Sequence, residues 1–319
     1  MRYYRISLLL FVLLALSNTF IEAQTPDAAV NYFNHGNKQL LKGDLDGAIQ
    51  DFTIAIEISS RLGPGKFRDT NPGSRANSFA AAAEDSSRIT VIDPLTASAY
   101  TSRGVARFRK GDIDGAIADW ERAIRISPGS AAAYLDRGGG RYIKGDTSGA
   151  LADWNRALQI NPNLAEAYCN RGALREDMDD LEGAVADLDK SLGLDSRDAR
   201  CYVRRGFVRM RKLDLERALS DFNRAIDLNP GLAMAYQGRG DARLSKYELD
   251  ASIADYGRAL EIAPDLVNAY LNRGLALILQ GKDSEAQRDF ERVLKLQPDI
   301  KGEIERRLKM AKQLRALQH

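Results

Sequence analysis

The stretch that decides the fold reads YLDRG at residues 134–138, and it returns as YCNRG at 168–172 and YVRRG at 202–206. Further copies start at Tyr100, Tyr236 and Tyr270, so the pentapeptide recurs every 34 residues, and an earlier variant, YFNHG, starts at Tyr32. A fixed period of this length requires each period to be one supersecondary unit stacked on similar neighbours. It predicts a repeat protein and directs the search for function to a surface.

Each period contains the residues that two packed helices need. With the tyrosine counted as position 4, position 8 is glycine in each clear copy, positions 20 and 27 are mostly small, and position 24 is aromatic or leucine. Small residues let helix backbones approach, and the large residue fills the space around them. A turn such as KGDIDG at 110–115 separates the two helices, and a proline at position 32, such as Pro128, ends the second. The pattern predicts an all-α protein built of helix hairpins.

These residues resemble the tetratricopeptide repeat, which has Gly at 8, Ala at 20, an aromatic at 24, Ala at 27 and Pro at 32. The resemblance covers residues 29–60 and 97–298, but Tyr replaces the family's usual Trp at position 4 and Arg replaces its usual Leu at position 7. It implies a right-handed superhelical solenoid of antiparallel helix hairpins with a concave inner surface. It also implies a mostly non-enzymatic protein that binds peptides or proteins. We expect a first repeat at 24–60 and six consecutive repeats at 97–298.

Two further segments complete the expected organisation. Residues 61–96 occupy one period, but glycine and proline interrupt their first half, so we expect a degenerate repeat whose loop is either a connector or a lid at the groove mouth. Residues 299–319 keep a helical period, which predicts a capping helix with one apolar and one polar face. Its apolar side is expected to comprise Ile300, Ile304, Leu308, Ala311 or Met310, Leu314 and Leu317.

The N-terminus has the order of a secretory signal peptide. Arg2 and Arg5 precede an apolar run at 6–16 in which Ser7 is the one polar residue, and a more polar stretch ends in the small residue Ala23. The run is short for a permanent transmembrane helix. We expect residues 1–23 to be removed and the protein to be exported, periplasmic or secreted, with an uncleaved N-terminal membrane anchor as the alternative.

The overall composition argues against several classes of site. A formal net charge of +2 without a lysine and arginine block argues against nucleic-acid binding. The chain has two histidines and two cysteines, without a Cys/His cluster, so no zinc site, catalytic set or cofactor is expected. Cys169 and Cys201 either pair, as exported proteins allow, or remain free thiols.

The most regular charged residues recur with the 34-residue period. Arginine recurs at position 7, aspartate at position 23 and a base at position 26, such as Arg122. The aspartate accompanies the arginine in every clear unit, so ion pairs within the scaffold explain the pattern more simply than a ligand site. His35 takes the place of the first arginine, and we expect it to be a structural substitute. The residues expected to be structural are Tyr100, Gly104 and the pairs Arg103 with Asp119, Arg137 with Asp153, Arg171 with Asp187, Arg205 with Asp221, Arg239 with Asp255, and Arg273 with Asp289.

A run of three glycines in the repeat that contains Tyr134 raises the question of a phosphate-binding site. RGGGRYIKGD at 137–146 is similar to a phosphate-binding loop, but it lies inside a predicted helix and no strand precedes it. Gly139 and Gly140 should each cost about 1 kcal/mol relative to alanine, which predicts that this helix is the softest of the array.

Binding is expected at the variable positions between these marks. The resemblance implies that positions 2, 5, 9, 12 and 13 of each first helix line the concave face. The candidate groove residues are Phe108, Arg109, Tyr142, Glu176, Phe207, Met210, Arg211 and Asp241. The large apolar ones either anchor a peptide or are partly covered by neighbouring helices. Leu271, Leu275, Ile278 and Leu279 are expected instead to pack under the capping helix.

Three functions remain open at this stage. The first is an exported scaffold that binds an unidentified protein or peptide in its groove. The second is a self-assembling structural solenoid of unknown oligomeric state. The third is an enzyme or glycan-binding protein that uses the arginine and aspartate ladder; it requires those arginines to be unpaired.

Overall fold

The computed structural model of the protein describes residues 25–62 and 94–317. In these ranges the chain forms fifteen α-helices, a short 3-10 turn at Pro298–Ile300 and no β-strand. The helices are α1 (Pro26–Lys42), α2 (Leu45–Leu62), α3 (Pro94–Lys110), α4 (Ile113–Ile126), α5 (Ala131–Ile143), α6 (Thr147–Ile160), α7 (Ala165–Asp177), α8 (Leu181–Leu194), α9 (Ala199–Arg211), α10 (Leu215–Leu228), α11 (Ala233–Ser245), α12 (Leu249–Ile262), α13 (Val267–Leu279), α14 (Asp283–Leu296) and α15 (Lys301–Ala316). The expected signal peptide and the loop of the degenerate repeat lie outside the described residues.

The motif KGDIDG shows how the sequence closes a hairpin. Gly111 adopts a φ of 91°, a left-handed conformation that favours glycine and ends α3. Asp112 then caps α4 by accepting a hydrogen bond of 2.9 Å from the backbone N–H of Gly115. A Cβ atom at Gly115 would lie 2.1 Å from the Asp112 carboxylate, so glycine leaves room for the cap. In a later repeat Arg217 stands at this place, and the corresponding bond lengthens to 3.4 Å.

The second helices of the last six clear repeats end at one place. α4, α6, α8, α10, α12 and α14 all stop at position 30, two residues before the proline position. α8 ends there as well, at Leu194, although Ser196 replaces the proline. Proline is therefore not required for the end of α8, whereas α2, which has Ser60 at the proline position, continues to Leu62.

The expected contact between position 8 and position 24 forms the centre of each hairpin. A Cβ atom at Gly104 would lie 2.5 Å from the Trp120 indole, and one at Gly206 would lie 2.7 Å from the Phe222 ring. Only glycine therefore lets the two helices approach this closely. The same approach occurs in all seven clear repeats.

The chain divides into two compact units, residues 1–162 and 163–319. In each unit, every second helix packs against the first helix of its own hairpin and, where one follows in that unit, against the first helix of the next. Successive first helices also contact one another within each unit. They form one layer in each unit, and this layer carries the variable positions.

The last helix confirms one expectation and corrects another. Leu271 and Ile278 of α13 are buried with Ile304 and Ala311 of α15, as the sequence predicts for a capping helix. However, Leu314 and Leu317 are 50% and 84% exposed, and Met310 is 63% exposed. The buried apolar stripe of α15 is therefore narrower than its sequence period indicates.

Candidate functional site

The arginine and aspartate ladder lies inside the scaffold. Arg103 donates from Nε and Nη2 to the two carboxylate oxygens of Asp119, at 2.9 and 2.7 Å, and Asp119 is only 2% exposed. This paired geometry, with distances of 2.6–3.0 Å, recurs in Arg137 with Asp153, Arg171 with Asp187, Arg205 with Asp221, Arg239 with Asp255, and Arg273 with Asp289. Such two-point ion pairs are strong and directional.

The tyrosine of the pentapeptide completes this arrangement. The guanidinium carbon of Arg103 lies 5.2 Å from the centre of the Tyr100 ring, within the range of a cation–π contact. The other five arginines lie 5.3–5.6 Å above the tyrosine of their own repeat. The pair at positions 4 and 7, where the chain departs from the usual residues of the repeat, therefore acts as one packed unit.

The second cation of the ladder is not the one expected from the sequence. Arg122 at position 26 donates to the Tyr100 hydroxyl, at 3.3 Å, rather than to an aspartate. The base at position 11 binds the aspartate instead, as Arg107 does to Asp119 at 2.8 Å. Arg141, Arg175, Arg209 and Arg243 repeat this contact at 2.7–2.9 Å. The missed signal was the four-residue spacing from position 7, which places both arginines on one helix face.

The first repeat replaces this arrangement with a histidine. His35 Nδ1 lies 2.6 Å from Asp51 Oδ2, so His35 takes the structural place of the arginine as predicted.

The carboxylates of the arginine and aspartate ladder are buried and its arginines are paired, so the ladder offers no free set of groups to a substrate or a glycan. The enzymatic or glycan-binding alternative thereby loses the residues on which it depended.

The aromatic groove candidates are partly covered. Phe108 packs on Trp120 with ring centres 5.9 Å apart, and Tyr142 packs on Trp154 at 6.0 Å. Phe207 meets Phe222 edge-on at 5.2 Å. All three side chains are half-buried, because the large residue at position 24 of their own repeat supports one side of each ring.

One open concavity brings several predicted positions together in the second unit. It has a volume of about 390 Å³ and is lined by residues of three successive first helices, α7, α9 and α11, and by Leu232, the residue that precedes α11. Glu176 and Phe207 were predicted here, and Val203, Arg200 and Met234 also occupy groove positions. Arg204 and Leu232 join the lining from positions that the repeat pattern does not assign to the groove.

Glu176 gives this concavity an acidic edge. Burial raises the pKa of its carboxyl group, and the adjacent Asp177 raises it further, while Arg211 and Arg204 act in the opposite direction. Arg211 itself is partly engaged, because it donates to the backbone oxygen of Glu176 at 2.8 Å and to Asp179 at 2.5 Å.

The remaining candidates do not line this concavity. The Asp241 carboxylate accepts hydrogen bonds from the Tyr256 hydroxyl at 2.7 Å and from Asn272 at 2.8 Å, so its assignment to the groove is wrong. Burial raises the pKa of Asp241, against the effect of these bonds. Met210 packs among the apolar residues around Phe222. Arg109 is exposed in the first unit.

The two cysteines are close neighbours in the interior of the second unit. Both are free thiols, are buried, and belong to one apolar cluster with Leu188 and Leu192. The hydrogen bond with Cys201, together with burial, raises the pKa of Cys169. The same contact lowers the pKa of Cys201.

Two further properties of the described ranges concern metal ligands and membrane-spanning helices. Within residues 25–62 and 94–317, no group of three His, Cys, Asp or Glu residues is placed to hold a metal ion. In the same ranges, no helix has the length and apolar character needed to cross a membrane.

Comparison with known proteins is consistent with this architecture. Sequence models described as TPR repeat match residues 141–179 and 240–281, and models described as tetratricopeptide repeat match 75–131, 165–198 and 267–300. Together they cover more than half of the chain. No curated protein gives a significant sequence match.

Several solved structures match this chain. A tetratricopeptide repeat protein from Parabacteroides merdae is 20% identical, with 89% of this chain and 99% of that chain covered and a TM-score of 0.58. The Cut9–Hcn1 hetero-tetramer of APC/C gives 15% identity, coverage of 88% and 55%, and a TM-score of 0.61. MamA is 29% identical, with coverage of 53% and 93% and a TM-score of 0.46.

Proposed function

Because the chain belongs to the tetratricopeptide repeat family, we propose that it is a scaffold that holds a segment of another protein in the concavity of its second unit. Scaffolding of protein–protein interactions is the general role of this fold, and its members are typically non-enzymatic. The observation that carries the proposal is the open concavity lined by variable residues of α7, α9 and α11. Its volume of about 390 Å³ lies within the range typical of ligand sites.

The lining suits a peptide better than a compact polar metabolite. Val203, Phe207, Leu232 and Met234 form an apolar floor, and charged groups stand at its edge. An apolar centre with a polar rim is the usual anatomy of a protein-binding surface. Met234 is 40% exposed, so its apolar side chain is in contact with water unless a ligand covers it.

We test this with a matched pair of methionine variants. A random dodecapeptide library displayed on phage is panned against the protein, and the selected peptides are measured by fluorescence anisotropy against Met234→Glu and Met310→Glu. Both methionines are exposed, at 40% and 63%, so both variants should fold. We expect Met234→Glu to weaken the selected peptides at least tenfold and Met310→Glu to leave them unchanged.

Two results would contradict the proposal. Equal binding to both variants would place the binding surface elsewhere. Failure to select any peptide, together with concentration-dependent assembly in light scattering after size-exclusion chromatography, would favour the self-assembling solenoid.

We further propose that the protein is exported after removal of residues 1–23. The arginine-flanked apolar run and the small residue Ala23 support this. Mass spectrometry of protein recovered from cell fractions tests it, since export predicts a mature chain that begins at Gln24. A full-length chain in the membrane fraction would favour the N-terminal anchor instead.

A further inference from the structure

We propose that the segment bound in this concavity carries an acidic side chain beside a large apolar one. The inference rests on the proposed function and specifies its ligand. The cationic edge of the concavity consists of Arg200 and Arg204, which are one turn apart on α9 and therefore neighbours on its surface.

These two arginines differ from the others on the same helix. Arg205 and Arg209 are held by Asp221, at 2.6 and 2.7 Å, and are therefore part of the scaffold. The Arg200 side chain is 80% exposed and has only a loose contact of 3.9 Å with Asp198. Arg204 is exposed and has no hydrogen-bonding or ion-pair partner among the residues that the structure describes. α9 thus presents two available guanidinium groups to the concavity.

The apolar floor lies directly beside these charges. Val203 and Phe207 come from the same helix as the two arginines, and Leu232 and Met234 come from the next repeat. The edge-on contact with Phe222 fixes the Phe207 ring from behind. A ligand side chain that covers this floor places its neighbouring residue within reach of the arginines.

Glu176 makes the concavity acidic on one side and basic on the other. It belongs to the preceding repeat, so its carboxyl group and the two arginines enter the concavity from different helices. A carboxylate in the ligand is repelled near Glu176 and attracted near α9, where guanidinium groups can bind it at two points. With two arginines against one half-buried glutamate, the lining favours an acidic ligand over a basic one.

The test uses three amidated, fluorescein-labelled peptides of nine residues. The first has Asp-Phe-Asp at the centre of a Gly/Ser sequence, the second has Asn-Phe-Asn, and the third has Asp-Ser-Asp. Amidation removes the terminal carboxylate, so that only side-chain carboxylates are compared. Anisotropy titrations at 50 and 500 mM NaCl use the wild-type protein, Arg204→Gln, Arg200→Gln, Met234→Glu and the control Arg217→Gln. Arg217 lies on α10, is 74% exposed in its side chain and forms only a short-range pair with Asp214.

The proposal predicts the tightest binding for Asp-Phe-Asp. Each exposed ion pair is expected to contribute about two- to fivefold in affinity, and this preference should shrink at high salt. Arg204→Gln and Arg200→Gln should reduce the preference over Asn-Phe-Asn, whereas Arg217→Gln should preserve it. The Asp-Ser-Asp peptide, which lacks the phenyl group, should bind more weakly than Asp-Phe-Asp to the wild-type protein and to each arginine variant.

Each contrary result has a distinct meaning. Equal binding of Asp-Phe-Asp and Asn-Phe-Asn, still weakened by Met234→Glu, would overturn the acidic preference and leave the peptide-binding function intact. A preference that persists in both arginine variants would also overturn it, since other cations would then be responsible. Absence of binding by all three peptides, when phage panning yields Met234-dependent ligands, would reject this ligand class alone.

Discussion

Two adjacent glycines in α5 should respond in opposite directions to the same substitution. A Cβ atom at Gly139 would meet no other atom within 4 Å. A Cβ atom at Gly140 would lie 2.9 Å from Trp120 Cζ3 and 3.0 Å from Ile117 Cγ1, in the preceding repeat. Gly139→Ala therefore tests helix propensity alone, and Gly140→Ala tests propensity against packing.

The magnitudes follow from these distances. Alanine gains about 1 kcal/mol over glycine in a helix, so Gly139→Ala should stabilise the protein by about that amount. At Gly140 the same gain is opposed by overpacking, which costs about 1–3 kcal/mol. Trp120 cannot easily yield, because it is 2% exposed and its indole N–H donates to the Thr101 carbonyl at 3.2 Å. Gly140→Ala should therefore lie about 1–3 kcal/mol below Gly139→Ala in stability.

The assay compares the two variants with the wild type. Urea unfolding followed by circular dichroism gives their order, and hydrogen exchange of α5 fragments by mass spectrometry localises the effect, since repeat arrays need not unfold in one step. Equal or greater stability of Gly140→Ala would refute the reasoning, because Trp120 would then have moved aside at little cost. The expectation that α5 is the softest first helix would fail if its exchange in the wild type were as slow as that of its neighbours.

Three further substitutions test the scaffold and its titrating groups. Asp221→Asn should destabilise the protein by about 3–5 kcal/mol in urea unfolding, because it weakens a buried partner of Arg205; a loss below 1 kcal/mol would show that the ladder is dispensable. The raised pKa of Asp241 means that the folded protein holds this proton to higher pH than the unfolded chain does, so stability is lost as pH rises through the folded pKa. Asp241→Asn should therefore gain stability relative to the wild type as the pH rises above the unfolded pKa of about 4, and a parallel pH profile would contradict this. Leu213 is 83% exposed with a φ of 60°, so Leu213→Gly should raise stability by about 1 kcal/mol in thermal unfolding, and a loss would show that its side chain packs in solution.

The sequence was sufficient to predict most of the contacts within each hairpin. Position 8 against position 24, and position 7 against position 23, are contacts within one hairpin, so their sequence separation is constant. Because each contact is repeated, a single accidental match cannot mislead the interpretation. The pairing of His35 with Asp51 was accessible for the same reason, since the histidine stands where the other repeats have arginine.

One error lies within a hairpin, where the arginine at position 11 rather than the base at position 26 binds the aspartate. The other errors concern contacts between repeats or at the end of the array. Asp241 occupies a groove position, but Tyr256 of the same repeat and Asn272 of the next both donate to it. Leu314 and Leu317 keep the helical period of α15, yet the helix leaves them exposed. Residue type and spacing do not reveal which neighbour reaches a side chain when that neighbour is a variable residue.

The sequence by itself determined the repeat, the hairpin boundaries and the ion pairs between positions 7 and 23, because these depend on local periodicity and on contacts at fixed separations. Only the tertiary structure decided which charged residues are available. Arg204 and Arg205 are adjacent and chemically identical, but Asp221 forms an ion pair with Arg205, whereas Arg204 has no hydrogen-bonding or ion-pair partner among the described residues. The physical reason is that a helix directs successive side chains about 100° apart, so one enters the hairpin while the other faces the concavity.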